Sequence, residues 1–285
     1  MKKHCMSVSI AVTLFIVIHI VGGAMIDRLG STPALFLEPL LVLLSAFLPL
    51  FLFKKQLSLE TSDVGFSRPS KSSLRYLLLL PLFIVTISIF ATVLTELAEL
   101  VGYRQEIILP SDPTCLILMA VLLPALCEEL LFRYVCLSPF AKESPCGAIW
   151  ISAILFAFVH ANFIQIPYAL VAGLALGALA VLTGSVWIPI LFHMANNLVS
   201  VVFHLLGDGL ATGIIETALL AVAAISVPFL LRKKDEESAS ILHSLLSAVR
   251  PKDRKERECI AEAILSPLLV PILLCLWLAV ISCLQ

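Results

Sequence analysis

Residues Thr114–Leu137 read TCLILMAVLLPALCEELLFRYVCL. As a helix this run is about 36 Å long, enough to cross a hydrocarbon core of about 30 Å. Its only charges are Glu128, Glu129 and Arg133. One ionised carboxylate at membrane depth costs about 3 kcal/mol, and here two stand side by side. Such a cost marks chemistry or transport rather than packing.

The rest of the chain agrees with a membrane setting. Of the 285 residues, 60% are apolar and 14% charged, and the mean hydropathy is +1.05. Soluble domains have about 25% charged residues. The expected fold is therefore all-α: a polytopic transmembrane bundle of about eight or nine spans. The net charge of −1 is uninformative about nucleic acid, and no Lys/Arg stripe points to it, so no nucleic-acid partner is expected. Cys5, Cys115, Cys127, Cys136, Cys146, Cys259, Cys275 and Cys283 include no C-x-x-C pair. They read as small hydrophobes rather than as a disulfide framework or zinc site.

Nine apolar runs lie near 5–25, 33–53, 76–98, 114–137, 147–163, 167–183, 187–206, 211–231 and 259–284. The first, after Lys2 and Lys3, reads as an uncleaved signal anchor. Basic residues recur in alternate loops: Lys54, Lys55, Arg68, Lys71 and Arg75, then Lys142, then Arg232, Lys233, Lys234, Arg250, Lys252, Arg254, Lys255 and Arg257. The intervening loops carry mainly acid, as at Glu99, Glu106, Asp112 and Asp208, with isolated Arg28 and Arg104. The positive-inside rule then places the N-terminus in the cytoplasm. Three regions follow: three N-terminal spans in 1–113, a core in 114–206, and C-terminal spans in 207–285 around a charged linker at 232–258. Within that linker, residues 241–249 suit a short interfacial helix.

Few polar groups remain at depth. His19, Glu38, Glu96, His204, Glu216 and Glu262 lie near span ends or alone, and read as snorkelling or locally hydrogen-bonded groups. Glu128, Glu129, His160, His193, Asn196 and Asn197 fall in the fourth, fifth and seventh runs. Glu129 and Arg133 are four apart, share a face and suit an ion pair. Glu128 points about 100° away and keeps its carboxylate free. Phe156 stands one turn before His160, and His193 one turn before Asn197. Counted from the basic ends of their spans, Glu128, His160 and Asn197 fall about 14–20 Å deep, and His193 about 9 Å.

An apolar setting makes a carboxylate a stronger base. Beside a histidine it can take a proton from water that attacks a carbonyl. A second histidine and an amide can donate to the resulting oxyanion. No Ser or Cys stands in an obvious nucleophile–base arrangement.

Glu128-Glu129-x-x-x-Arg133, Phe156-x-x-x-His160 and His193-x-x-x-Asn197, in this order, resemble the motifs of the CAAX-protease and bacteriocin-processing (Abi) family of intramembrane peptidases. The approach Gly173-x-x-x-Gly177 through Thr183-Gly-Ser-Val-Trp-Ile-Pro189 is also similar. The resemblance covers about residues 114–206. It implies a helical bundle around a water-accessible chamber, with Glu128 and His160 activating water and His193 and Asn197 holding the oxyanion. It implies a membrane-bound or lipid-modified polypeptide as substrate. Metal-independent hydrolysis is favoured over a divalent metal, because there is neither a His-Glu-x-x-His motif nor a cysteine ligand group. Tyr134 departs from the pattern, standing where many relatives carry a small Gly. Gly173 and Gly177 read more simply as a close helix contact.

The leading expectation is thus an intramembrane endopeptidase in a bacterial plasma membrane, with its site open to the cytoplasm and no cofactor. A transporter or proton relay, and a non-catalytic immunity or scaffold protein, remain as alternatives. No internal repeat supports the transporter.

Overall fold

A computed structural model describes residues 2–29, 31–59, 62–103, 110, 112–207, 209–232, 240–265 and 267–284. Among them are eleven helices or helix-length segments and no strand beyond one isolated bridge, Gly65 to Ser185. These are α1 (Lys2–Asp27), α2 (Ser31–Phe53), α3 (Leu80–Leu100, entered through 3-10 turns at Ser73–Leu79), α4 (Pro113–Ala141), α5 (Pro145–Val159), α6 (Gln165–Thr183), α7 (Trp187–Leu206), α8 (Leu210–Leu231), α9 (Ile241–Val249), α10 (Arg254–Ile264) and α11 (Leu269–Leu284). Arg104, Glu106, Asp208, Lys233 and Lys234, used in the charge alternation, lie outside the described residues.

The span count is lower than nine. Six helices are long and apolar enough to cross a membrane, and a seventh qualifies if α10 and α11, bent by 59°, form one broken span. The second and fifth runs appear as shorter apolar helices, Leu37–Phe53 and Pro145–Val159. At 15 residues α5 is only about 22 Å long, short of the core thickness. Its boundaries are local. The Ser144 hydroxyl accepts from the Gly147 N–H at 3.2 Å and Pro145 fills the first turn. At the other end Ala161 takes a positive φ of 47°. The Asn162 carboxamide then accepts from the N–H groups of Ile164 and Gln165, starting α6.

This short helix is the centre of the bundle. From Cys146 to Ala157 nearly every residue is buried, and α4, α6, α10 and α11 pack against it. Its closest partner is α6, because glycines remove the intervening side chains. A Cβ on Gly173 would stand 3.0 Å from the Ala153 Cα and 3.2 Å from the Phe156 ring. One on Gly177 would meet Ile149 at 3.2 Å. The close contact expected at these two positions is therefore present. α1, α2 and α11 flank one side of the core, and α3, α8 and α9 the other.

α4 is irregular where it matters. Pro124 has no N–H for the carbonyl four residues back, and the helix widens to π-turns at Ile117–Leu122 just before it. A second π-wound stretch, Leu130–Leu137, begins directly after Glu129.

The loop after α2 clasps the turn between α6 and α7. Gly65 N–H donates to Gly184 O (3.3 Å), Val186 N–H to Gly65 O (2.9 Å) and Ser185 Oγ to Ser67 O (2.7 Å). Gly184 is required there, with φ +64° and Asp63 O only 3.1 Å from where a Cβ would stand. Tyr134 braces the same loop, its ring edge-on to Phe66 at 4.9 Å and its hydroxyl donating to Leu59 O at 3.4 Å.

Replacing Gly173 by Ala forces α5 and α6 apart and is expected to destabilise the bundle by about 1–3 kcal/mol. Gly213 on α8 has nothing within 4 Å of an added Cβ, so Gly213→Ala leaves stability unchanged or slightly higher. Unfolding of both variants in detergent checks the contrast.

Candidate active site

The site is organised by a buried cation. Arg133 and Glu129 are both 0% exposed. Arg133 Nε donates to Glu129 Oε2 at 2.7 Å, with one terminal nitrogen 3.5 Å from Oε1. The other terminal nitrogen donates to Ser152 Oγ on α5 at 2.6 Å, and that hydroxyl passes its own hydrogen to Phe132 O at 2.8 Å. The guanidinium also lies 4.9 Å from the centre of the Phe156 ring. Helix periodicity foretold the ion pair but not Ser152.

The same carboxylate reaches α7. His193 Nδ1 donates to Glu129 Oε1 at 3.0 Å. A carboxylate held by an arginine only accepts, so this nitrogen carries the hydrogen and Nε2 faces away. Phe156 is the hub of the apolar side. Its ring stands edge-on to Phe132 (5.4 Å), His160 (5.1 Å) and His193 (5.7 Å). The two histidines thus share one aromatic neighbour.

His160 closes α5 as its last helical turn breaks, rather than lying inside a span. Its Nδ1 donates to Phe156 O at 2.8 Å. A carbonyl cannot donate, so His160 also presents Nε2 as its free nitrogen. Neither imidazole has its Nε2 committed to a described residue.

Glu128 differs sharply from its neighbour. Its Oε2 is buried and has no hydrogen-bond partner, which is costly for a carboxylate oxygen. No hydrogen bond joins it to His160 among the described residues. It does lie close enough to His193 and to His19 to act on their charge. Asn197, half-buried, follows His193 by one turn on α7. Asn196 is half-buried beside it.

The sequence alone reads His19 as a locally bonded group. The local bond exists, from its Nδ1 to Phe15 O at 3.2 Å. Phe15, whose ring centre is 4.4 Å from that of His19, meets Phe132 at 6.3 Å. α1 therefore forms a wall of the site, a proximity that no motif carries.

Among the described residues, no three His, Cys, Asp or Glu side chains gather as a metal-holding group. The chemistry available is that of an unpartnered carboxylate, two imidazoles oriented against one apolar ring, and the amide one turn after His193.

A family model described as Type II CAAX prenyl endopeptidase Rce1-like matches residues 110–199. The match contains all three motifs, so the resemblance read from them holds. No curated protein and no solved structure matches the chain.

The two glutamates should separate in a stability measurement. Glu129→Gln leaves a buried guanidinium uncompensated and costs about 3–5 kcal/mol. Glu128→Gln removes an unpartnered charge and changes stability by less than about 1 kcal/mol. Thermal unfolding in detergent reads both; equal losses would contradict the assignment.

Proposed function

We propose that this chain, whose residues 110–199 match the Rce1-like type II CAAX endopeptidase family model, is an integral membrane endopeptidase using Glu128 as its general base. The family acts on lipid-modified polypeptides within a membrane, and a membrane-bound or lipid-modified polypeptide is the substrate class proposed here. The observation that carries the reading is the division of the adjacent carboxylates. One is tied to Arg133 and His193, while the other presents a buried oxygen without a partner.

Charge balance suggests the course of the reaction. Glu128 and Glu129 bring two negative charges and Arg133 one positive, so a protonated His193 makes the set neutral. Glu128 takes a proton from water as the oxygen bonds to the scissile carbonyl carbon. His160 Nε2 accepts a hydrogen bond from the water's other O–H, which stays on the attacking oxygen, and so orients it. Negative charge passes from Glu128 to the carbonyl oxygen, where His193 Nε2–H and the Asn197 amide donate to it. Glu128 then returns the proton to the leaving nitrogen as the C–N bond breaks. Glu129 and Arg133 hold His193 in place, and Phe156 sets the spacing of the imidazoles. No step uses a metal or cofactor.

The orientation proposed with this reading is a cytoplasmic N-terminus and site opening, in a bacterial plasma membrane. It requires the shorter apolar helices Leu37–Phe53 and Pro145–Val159 to cross as well, which puts Lys2, Lys3, Lys54, Lys55, Arg68, Lys71, Arg75 and Lys142 on one side.

The test is expression in membranes beside Glu128→Ala and His160→Ala, with peptide termini of the membrane proteome compared by mass spectrometry. Termini made by the parent chain should vanish in both variants, and a chelator should leave them unchanged. Once a substrate is in hand, each variant should lower turnover by about 10²–10⁴-fold. Identical termini in all samples would favour the scaffold reading.

A further inference from the structure

Away from the site, a cleft of about 280 Å³ opens between α3, α6, α7 and α9. Leu82, Phe83, Leu174, Phe192, Leu245 and Leu246 are among its walls. Its only polar side chain, Thr86, already donates to Leu82 O at 2.7 Å. A space with this lining offers water no hydrogen bonds and takes an apolar chain.

One wall is the helix that the linker inserts between two spans. α9 is strongly amphipathic, capped by the Ser240 hydroxyl on the His243 N–H (3.2 Å) and pinned at its far end by Trp150 Nε1 donating to Val249 O (2.8 Å). Leu246 lines the cleft and is 58% exposed, so the cleft opens beside the helix. Such a helix suits the membrane interface.

Cations stand where these elements end. Arg75 precedes Leu79 of the cleft by one short turn, Arg250 directly follows Val249, and Arg232 ends α8, which packs on both α9 and the Ser73–Leu79 turns. Among the described residues none of the three is ion-paired. Arg75 lies against Tyr76, but its Nε is buried without a hydrogen-bond partner. An apolar slot beside an amphipathic helix, with unpaired arginines on or next to the elements that wall it, has the complementarity of a lipid tail joined to an anionic head.

We propose that this cleft is a binding site for an acyl chain of an anionic phospholipid, its phosphate held at Arg75 and Arg250. Phe192, one of the residues lining the cleft, packs edge-on to Phe83 at 5.6 Å and directly precedes His193. A bound chain therefore braces the helix that presents His193, a consequence that rests on the proposed function.

The test needs no turnover, so it fails or succeeds independently of the peptidase reading. The full chain is placed in phosphatidylcholine vesicles containing a trace of phosphatidylglycerol or phosphatidylcholine bearing a photoreactive group in the acyl chain. Crosslinks are then mapped by mass spectrometry. The phosphatidylglycerol probe should label 82–87 and 242–249 in preference to the phosphatidylcholine probe. Leu245→Trp, which fills the cleft, should abolish that labelling. Arg75→Gln and Arg250→Gln, which leave the packing intact, should each lower it about five-fold. Equal labelling by the two probes would overturn the proposal. So would labelling insensitive to the arginine variants, or displaced by a farnesylated peptide but not by unlabelled phosphatidylglycerol.

Discussion

A guanidinium with no exposure to solvent is the constraint on which this bundle turns. Arg133 cannot shed its charge, so the fold must supply an anion and acceptors for it. Glu129 provides the anion from the same helix, and Ser152 extends the contact to α5. Glu129 then holds His193 of α7. Three helices are thereby fixed in rotation about one ion pair, and the His193 Nε2 is left free as a result.

Packing reinforces that arrangement. Gly173 brings α6 against Ala153 and Phe156, which presses the Phe156 ring under the Arg133 guanidinium and between the two imidazoles. The early end of α5 matters as much. Because the chain reverses at Ala161, His160 caps a helix and its Nδ1 binds the Phe156 carbonyl. Interior placement would have left the ring to find another partner. Widened turns on either side of Leu123–Glu129 set the local twist at which the two carboxylates leave α4.

What could be read beforehand was local. The Glu129–Arg133 pair and the Phe156–His160 stack follow from helical periodicity within one segment, and the structure contains both. The glycine contact was legible because small residues four apart have few other uses in an apolar helix. Ser152, His19 and the clasp of Gly65 on Gly184 were not, since each depends on which helices become neighbours. The run at 147–163 overran the end of α5 by four residues for a different reason. Ala161 and Phe163 extend the apolar run past Val159, and only the backbone break at Ala161 ends the helix. Hydropathy counts apolar length and is blind to such a stop.

The central claim is that Glu129 and Arg133 act as one structural unit, leaving Glu128 for chemistry. A double-mutant cycle on unfolding in detergent, with Glu129→Gln, Arg133→Met and the pair together, tests it most directly. The account predicts that the double variant recovers most of the loss, with a coupling of about 3 kcal/mol or more. Single losses that add to within about 0.5 kcal/mol would contradict it.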